Sequence, residues 1–357
     1  MIKYPKTKPM LIPYINKDNT GITIGGYQYG IARELIVDSP SDYLEFLKLL
    51  DGTRDIKEIS QLSQIDIDFL EELLNDLMKL GIIYENQSSY YNFNNEERDL
   101  YSRNLNFFAW IDTEGKYYNY WEVLNILKNS KVLILGAGGT GSVCANSLAR
   151  LGIGKLTIVD YDTVELNNLN RQLFSYSDIG KKKTEALKDS LAKINPFIEI
   201  SIVDKMITNT DDVLSLGRDY DVLVSCIDKP SDINDILEEY TSITNIPRIL
   251  GGYASTIVTT SLFNKQVNNF SDIVVSDTNN NYDSFMVNTN DFWSWDNAII
   301  SPVSQIAGNL SSMYCFYTLS GLANVQPGEV LHLDLFNVQN KHITYAMNAA
   351  GEVKEND

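Results

Sequence analysis

Cysteine and histidine are scarce in this sequence. Only Cys144, Cys226 and Cys315, with His332 and His342, occur among 357 residues. The cysteines stand far apart and form no C-x-x-C, and both histidines lie near the C-terminus. A four-ligand Cys/His zinc site is therefore not expected, nor is a disulfide framework. Positive charge is short as well: 29 Lys and Arg stand against 47 Asp and Glu, a net charge of −18. A surface that grips a phosphate backbone needs the opposite sign, so nucleic acid is excluded as a partner and a basic peptide suits better. No apolar run approaches the roughly 20 residues that cross a bilayer. The opening MIKYPKTKPM lacks a signal-peptide core. A cytoplasmic protein with no membrane partner is expected.

What is present suits a globular chain with one large α/β domain and one small domain. Residues 1–92 read as a small α+β domain. GITIGGYQYGIARELIV (21–37) suits a hairpin. SDYLEFLKLLDGTRD is a helix stopped by Asp51-Gly52. IKEISQLS and DIDFLEELLNDLMKLGIIYE supply two further helices and a strand, the last helix capped by Asp66 or Asp68 and ended by Gly81. Three helices and then a strand is a winged-helix order. The acidic third helix disfavours DNA, and a peptide that adds a strand to an exposed edge fits instead. YENQSSYYNFNNEERDLYSRN (84–104) reads as a linker.

From residue 93 to 357 a second domain is expected. Strands at 131–135, 155–160, 198–203, 221–226 and 247–251 alternate with helices at 140–151, 181–194 and 230–242. That pattern means a doubly wound, mostly parallel, Rossmann-like sheet. Residues 263–296 read as a long loop. A helix over 301–322 is expected to be capped by Ser301, with Pro302 in its first position. EVLHLDLFNVQNKHITYAMN closes with a hairpin.

The chemistry concentrates in VLILGAGGTGSVCANSLARLGIGKLTIVDYDTVELNNLNRQ (132–172). Gly136, Gly138, Gly139 and Gly141 permit a tight strand-to-helix turn, and the helix N-terminus attracts anions. Asp160, at the next strand end, is placed to grasp ribose hydroxyls. Taken alone, this suits NAD as well as ATP. Asn168, Arg171 and Lys183 follow, and Arg and Lys together make a nest for a triphosphate. In VLVSCIDKPSDIND a strand ends on Asp228, where a carboxylate can hold Mg²⁺ bridging ATP phosphates. The alternative role for Asp228 is a helix cap, which Ser231 could also fill.

GAGGTG, Asp160, N-x-x-R-Q, Lys183 and Asp228 together resemble the ubiquitin-activating-enzyme-like superfamily, the ThiF/MoeB/MccB proteins, over residues 98–345. The resemblance implies binding of ATP and Mg²⁺, adenylation of a peptide or protein carboxylate, and release of pyrophosphate. Arg171, Lys183 and Asp228 would be catalytic. It also gives LYSRN a role: Arg103 matches a basic residue that reaches the phosphates of the other subunit in a homodimer, while Leu100 replaces the motif's first Arg. The chain departs from the family in two ways. It lacks paired C-x-x-C zinc motifs, and it has no cysteine in 227–314, so a thioester-forming activator is disfavoured.

LLDGTRDIKEI and the winged-helix order resemble the PqqD-like leader-recognition domain of ribosomal peptide natural-product pathways. Two groups share this layout. Microcin-type enzymes adenylate the carboxyl end of a precursor peptide in bacteriocin maturation. Non-catalytic ThiF-like partners bind the leader and present the precursor to a YcaO cyclodehydratase in thiopeptide pathways. KPMLIPY, GITIGG and YSRNLNFF look closer to the second group; Arg103, Asn168, Arg171, Lys183 and Asp228 favour the first.

Overall fold

The computed structural model describes residues 2–25, 33–87, 89, 91–113, 115–267, 298–336, 343–347 and 353–355. They fall into two compact units, Met1–Ile126 and Leu127–Asp357.

In the first unit, β1 (Pro5–Thr7), β2 (Pro13–Ile15), β3 (Gly21–Ile24) and β4 (Arg33–Ile36) precede α1 (Pro40–Leu49), α2 (Ile56–Ser63) and α3 (Ile67–Lys79). Then come β5 (Ile83–Glu85), α4 (Asn95–Ile111) and α5 (Tyr120–Asn129), whose last residues belong to the second unit. The expected hairpin is present: β3 pairs antiparallel with β4, and β2 adds to its other side. The three helices are followed by β5, which pairs with β1. On α3, Leu70, Leu74, Leu77 and Met78 are buried, a stripe repeating at three to four residues that faces the core. The Asp66 side chain accepts from the amide of Asp68, and Gly81 takes a φ of +72° just past the helix end. The opposite, polar side of α3 carries its acidic residues.

Residues 84–104 are not simply a linker. Asn94 caps a helix of 17 residues, and Asn94 and Glu97 each bond the other's backbone amide. That reciprocal pair satisfies two amide donors at the helix start and lets a polar, Asn-rich segment fold.

The second unit is built on β6 (Lys131–Leu135), α6 (Gly139–Leu151), β7 (Lys155–Val159), α7 (Lys183–Ile194), β8 (Glu199–Val203), α8 (Thr210–Leu214), β9 (Val222–Ser225), α9 (Ile233–Thr244), β10 (Arg248–Ala254) and β11 (Ile257–Phe263). After these come α10 (Ser301–Ser320), β12 (Val330–Asp334), β13 (Ile343–Met347) and β14 (Val353–Glu355). The described strands order as β14-β13-β12-β11-β10-β9-β6-β7-β8. From β8 to β10 all pairings are parallel. From β10 to β14 they are antiparallel, so the parallel sheet carries an antiparallel extension, and the hairpin expected after residue 329 forms its β12–β13 pair. The expected loop over 263–296 lies, from 268 onward, outside the described residues, as does His342.

The central parallel strands β6, β7 and β9 are short, mostly apolar runs buried along nearly their whole length, as a sheet covered by helices requires, whereas the edge strand β8 is only partly covered. Leu133, Leu135, Val159 and Leu223 pack with Val213, Ile236, Leu237 and Tyr240 of α8 and α9. On α10, a Cβ at Gly308 would meet Val143 at 2.5 Å, so the glycine lets α10 and α6 cross closely. The Ser301 cap is not formed. The helix starts at Ser301, its capping position is Ile300, and no side chain bonds the free amides. No helix among the described residues is long and apolar enough to cross a membrane.

Candidate functional site

Strand order reverses between β6 and β9: the chain adds β7 and β8 on one side and β9 and β10 on the other. Where an open sheet reverses in this way, a crevice forms beyond the strands' carboxyl ends. A cleft of about 350 Å³ lies there. Gly136, Gly138, Gly139, Asp160, Arg171, Lys183 and Asp228 all line it.

The glycines divide by what a side chain would hit. At Gly136, where φ is +93°, a Cβ would come within 2.8 Å of the Cys226 carbonyl; at Gly141 it would sit 1.9 Å from the Gly136 carbonyl. These two allow β6, the turn and α6 to close on one another. Gly138 is open: the nearest atom to its Cβ position is the Gln172 amide nitrogen at 4.0 Å. Gly252, also in the lining, has nothing within 4 Å. Protein packing does not require a glycine at either position. Their bareness keeps the cleft wide.

The acidic residues take different places. Asp160 accepts the amide of Ala137 at 2.6 Å and that of Asp162 at 2.8 Å, so it ties the glycine turn to the loop after β7. The strand before Asp228 ends at Ser225 rather than at the carboxylate, which stands exposed on the following loop. Asp228 is not a helix cap and neither is Ser231: α9 has Asp232 at that position, with no side-chain bond. Tyr161 senses the local charge. Asp162 beside it, then burial, Asp160 and Asp228, raise its phenol above the usual value. Three carboxylates thus bear on one rim of the cleft.

Of the lysines expected near 181–183, Lys181 pairs with Asp178 and Lys182 with Asp204. Lys183 is different. It opens α7, its side chain is 8% exposed, and its Nζ lies 2.7 Å from the Asp162 carboxylate. Asn168 is a loop builder: its amide oxygen accepts the Glu165 amide at 3.1 Å, and its carbonyl accepts the amides of Arg171 and Gln172. With Asp162, Arg171, Gln172 and Lys183 it borders a polar hollow of about 290 Å³. Arg103 is in the first unit, exposed on α4.

Sequence reasoning missed Gln172, Lys205, Gly252 and Tyr253, which also line the cleft. Gln172 is 7% exposed, and its amide oxygen has no hydrogen-bond partner among the described residues. Its adjacency to Arg171 in the R-Q pair was the one available signal. The three cysteines converge: Cys226 and Cys315, after burial, raise the Cys144 thiol. Buried thiols of raised pKa are poor nucleophiles.

A doubly wound sheet whose reversal point holds a glycine turn, paired cations and carboxylates defines a Rossmann-like nucleotide-binding protein. The chain belongs to the ThiF family, whose model matches residues 101–352. It is similar to the molybdopterin-synthase adenylyltransferase of Escherichia coli (strain K12), 27% identical over 230 residues, 64% of this chain and 88% of that protein. A shorter stretch is similar to ubiquitin-like modifier-activating enzyme 5 of Dictyostelium discoideum, 39% identical over 113 residues, 29% of this chain and 30% of that protein. Among solved structures, E. coli MccB with AMPCPP and MccA aligns at a TM-score of 0.71, with 21% identity and 97% of each chain covered. PaaA aligns at 0.70, with 23% identity, 93% of this chain and 97% of that one. These likenesses establish the fold across both units.

Proposed function

We propose that the protein is an ATP-dependent adenylyltransferase acting on a ribosomally made precursor peptide in bacteriocin-like maturation. The observation that carries this reading is the convergence of the glycine turn, Arg171, Lys183 and Asp228 in one cleft of about 350 Å³. The cleft is of ligand size. It is open where Gly138 and Gly252 lack side chains, and apolar at Leu135, Val159 and Ile207, where a base can lie. Family membership and the adenylyltransferases among the relatives support the reaction class. The likeness to MccB across both units, including a structure holding MccA, supports the choice of substrate.

In the proposed reaction a carboxylate or amide oxygen of the peptide attacks the α-phosphorus of ATP. A phosphorus–oxygen bond forms, the bond to the bridging oxygen breaks, and pyrophosphate leaves with the electron pair. A carboxylate is a poor electrophile, and AMP gives it a leaving group. Arg171 and Lys183 stabilise the charge gathering on the phosphates. Asp160 is the partner for ribose hydroxyls. Asp228 would hold Mg²⁺, and the ion would supply charge neutralisation of the phosphates. No three acidic, His or Cys side chains among the described residues are grouped to hold a metal by themselves. In a homodimer, Arg103 of one copy would reach the phosphates of the other. The first unit would hold the leader.

The test is calorimetric titration with ATP and Mg²⁺ on wild type and on a variant carrying both Asp228→Ala and Arg171→Ala. Binding by wild type that the double variant loses is expected. A folded wild type that binds no ATP contradicts the proposal. It would leave a non-catalytic leader-binding partner that presents its precursor to a YcaO cyclodehydratase.

A further inference from the structure

Among the described residues, four cations line the cleft: Arg171, Lys183, Lys205 and Lys229. Three of them are engaged. Lys183 holds Asp162, and Lys205 Nζ lies 2.8 Å from the Asp212 carboxylate and donates to Ser215 Oγ at 2.8 Å. The Arg171 guanidinium donates to the Asn167 carbonyl at 3.1 Å and to Asn170 Oδ1 at 2.8 Å. Lys229 differs. It follows Asp228 directly, it is exposed, and its ammonium has neither an ion pair nor a hydrogen bond among the described residues. A cation that lines a cleft without a counter-charge of its own is open to an anion from outside.

The sheet order places that cation. β9 lies beside β10, with Leu223 opposite Arg248 and Ser225 opposite Leu250. Past this pairing the two chains run on through 227–229 and 251–253, and both stretches line the cleft. They belong to the half away from β7, after which Asp160 stands, because β6 and its glycine turn lie between β7 and β9. Asp162, Arg171 and Lys183 also border the second, polar hollow, whereas Lys229 and residues 251–253 do not. The cations near the hollow and Lys229 therefore serve different parts of the site. The end of β10 is also bare. Gly251 is fixed by packing, because a Cβ there would stand 1.9 Å from Ser311 Oγ, but a Cβ at Gly252 would meet nothing within 4 Å. An extended chain can lie against such a glycine.

We propose that Lys229 is a specificity-determining residue that receives the anionic end of the peptide, and that the ends of β9 and β10 form the acceptor side of the cleft. This rests on the adenylation reading. In phosphoryl-type transfers the attacking and leaving oxygens stand roughly in line across phosphorus. With pyrophosphate leaving toward Arg171 and Lys183, the attacking carboxylate arrives from the opposite side, that of β9 and β10. It arrives against the negative charge of Asp160, Asp162, Asp228 and the phosphates themselves. One carboxylate oxygen on the Lys229 ammonium offsets that repulsion through a charge-assisted hydrogen bond, and the other stays free to attack.

The test is exchange of labelled pyrophosphate into ATP, driven by N-acetylated tripeptides Gly-Gly-X, with X each of the twenty amino acids, as free acids and as C-terminal amides. Wild type, Lys229→Gln and Lys229→Arg are compared, and calorimetry measures the ATP·Mg²⁺ affinity of each. Wild type is expected to use free acids and no amides. Lys229→Gln should raise the KM for the acid about tenfold, the loss of one hydrogen bond between charged groups, and leave the maximal rate and ATP affinity in place. Lys229→Arg should keep the wild-type KM. An unchanged KM in Lys229→Gln overturns the proposal. So does equal use of acids and amides, and so does a loss of ATP affinity, which would make Lys229 a phosphate contact. A wild type that binds ATP but exchanges with no tripeptide also overturns it and leaves the adenylation reading intact. A wild type that binds no ATP overturns both.

Discussion

Among the described residues each unit buries one lysine, and the two lysines have opposite fates. Lys8, in the first unit, is 3% exposed. Its Nζ donates to the Asp112 carbonyl at 2.6 Å and lies 5.5 Å from the Tyr120 ring centre. Burial pushes its pKa down to about 8, against the opposing charge of Asp112. The Asp112 carboxylate accepts the Tyr120 hydroxyl and the amides of Lys116 and Tyr117. All of these groups are turned inward. Lys183, in the second unit, is 7% exposed, yet its partner Asp162 is a half-exposed carboxylate, and the pair opens on a cleft. A buried charge is thus not in itself a site. It becomes one where its partner and an empty volume give a ligand a way to compete for it.

The largest effect expected from this contrast is on Lys183→Ala. Adenylation should fall 100-fold or more, about 3 kcal/mol of transition-state stabilisation, with little change in melting, because Asp162 can be hydrated once alone. Lys8→Ala should do the reverse. It should cost about 2 to 3 kcal/mol of stability in urea, from lost packing and an orphaned carbonyl, and leave ATP affinity unaltered. If either variant shows the other's phenotype, the contrast is broken.

The turn offers a sharper version of the same test. Gly141→Ala would force a Cβ to within 1.9 Å of a backbone oxygen, and should cost about 3 kcal/mol or more of stability. Gly138→Ala meets only an amide at 4.0 Å. It should fold with wild-type stability and bind ATP about tenfold more weakly, by filling space the ligand needs.

A pH titration gives the smallest effect. The pKa of Lys8 is about 8 when folded, below the ordinary lysine value of 10.5. Between these values the unfolded chain binds a proton that the folded chain does not, so the contribution of Lys8 rises with pH, by about 1.4 kcal/mol per unit. The buried thiols act the other way above pH 9, because folding raises their pKa values. Comparison with Lys8→Met cancels them. Wild type should gain on that variant between pH 8 and pH 10; a constant difference would show that Lys8 titrates normally.

The parallel half of the fold was legible because its strands are unbroken apolar runs and its turns are glycines that sterics demand. Strand 131–135 was placed to the residue, and helix 140–151 begins one residue earlier, at Gly139. Helix α4 was not legible as a helix, because an Asn/Ser-rich segment masks the Asn94–Glu97 pair that starts it. In the site, Arg171, Lys183 and Asp228 could be named because their residue types follow the turn in order. The internal ties could not. Asp160 is engaged with two backbone amides and Lys183 with Asp162. Tyr253 lines the cleft from 82 residues beyond Arg171, on a strand, β10, against which α10 packs.

The central claim is that the second unit's cleft performs chemistry on a peptide bound by the same chain. Exchange of labelled pyrophosphate into ATP, with and without candidate precursor peptides, tests it most directly. Exchange that depends on a peptide and disappears in Lys183→Ala is the predicted result. Absence of exchange with every peptide that the folded protein binds would contradict it.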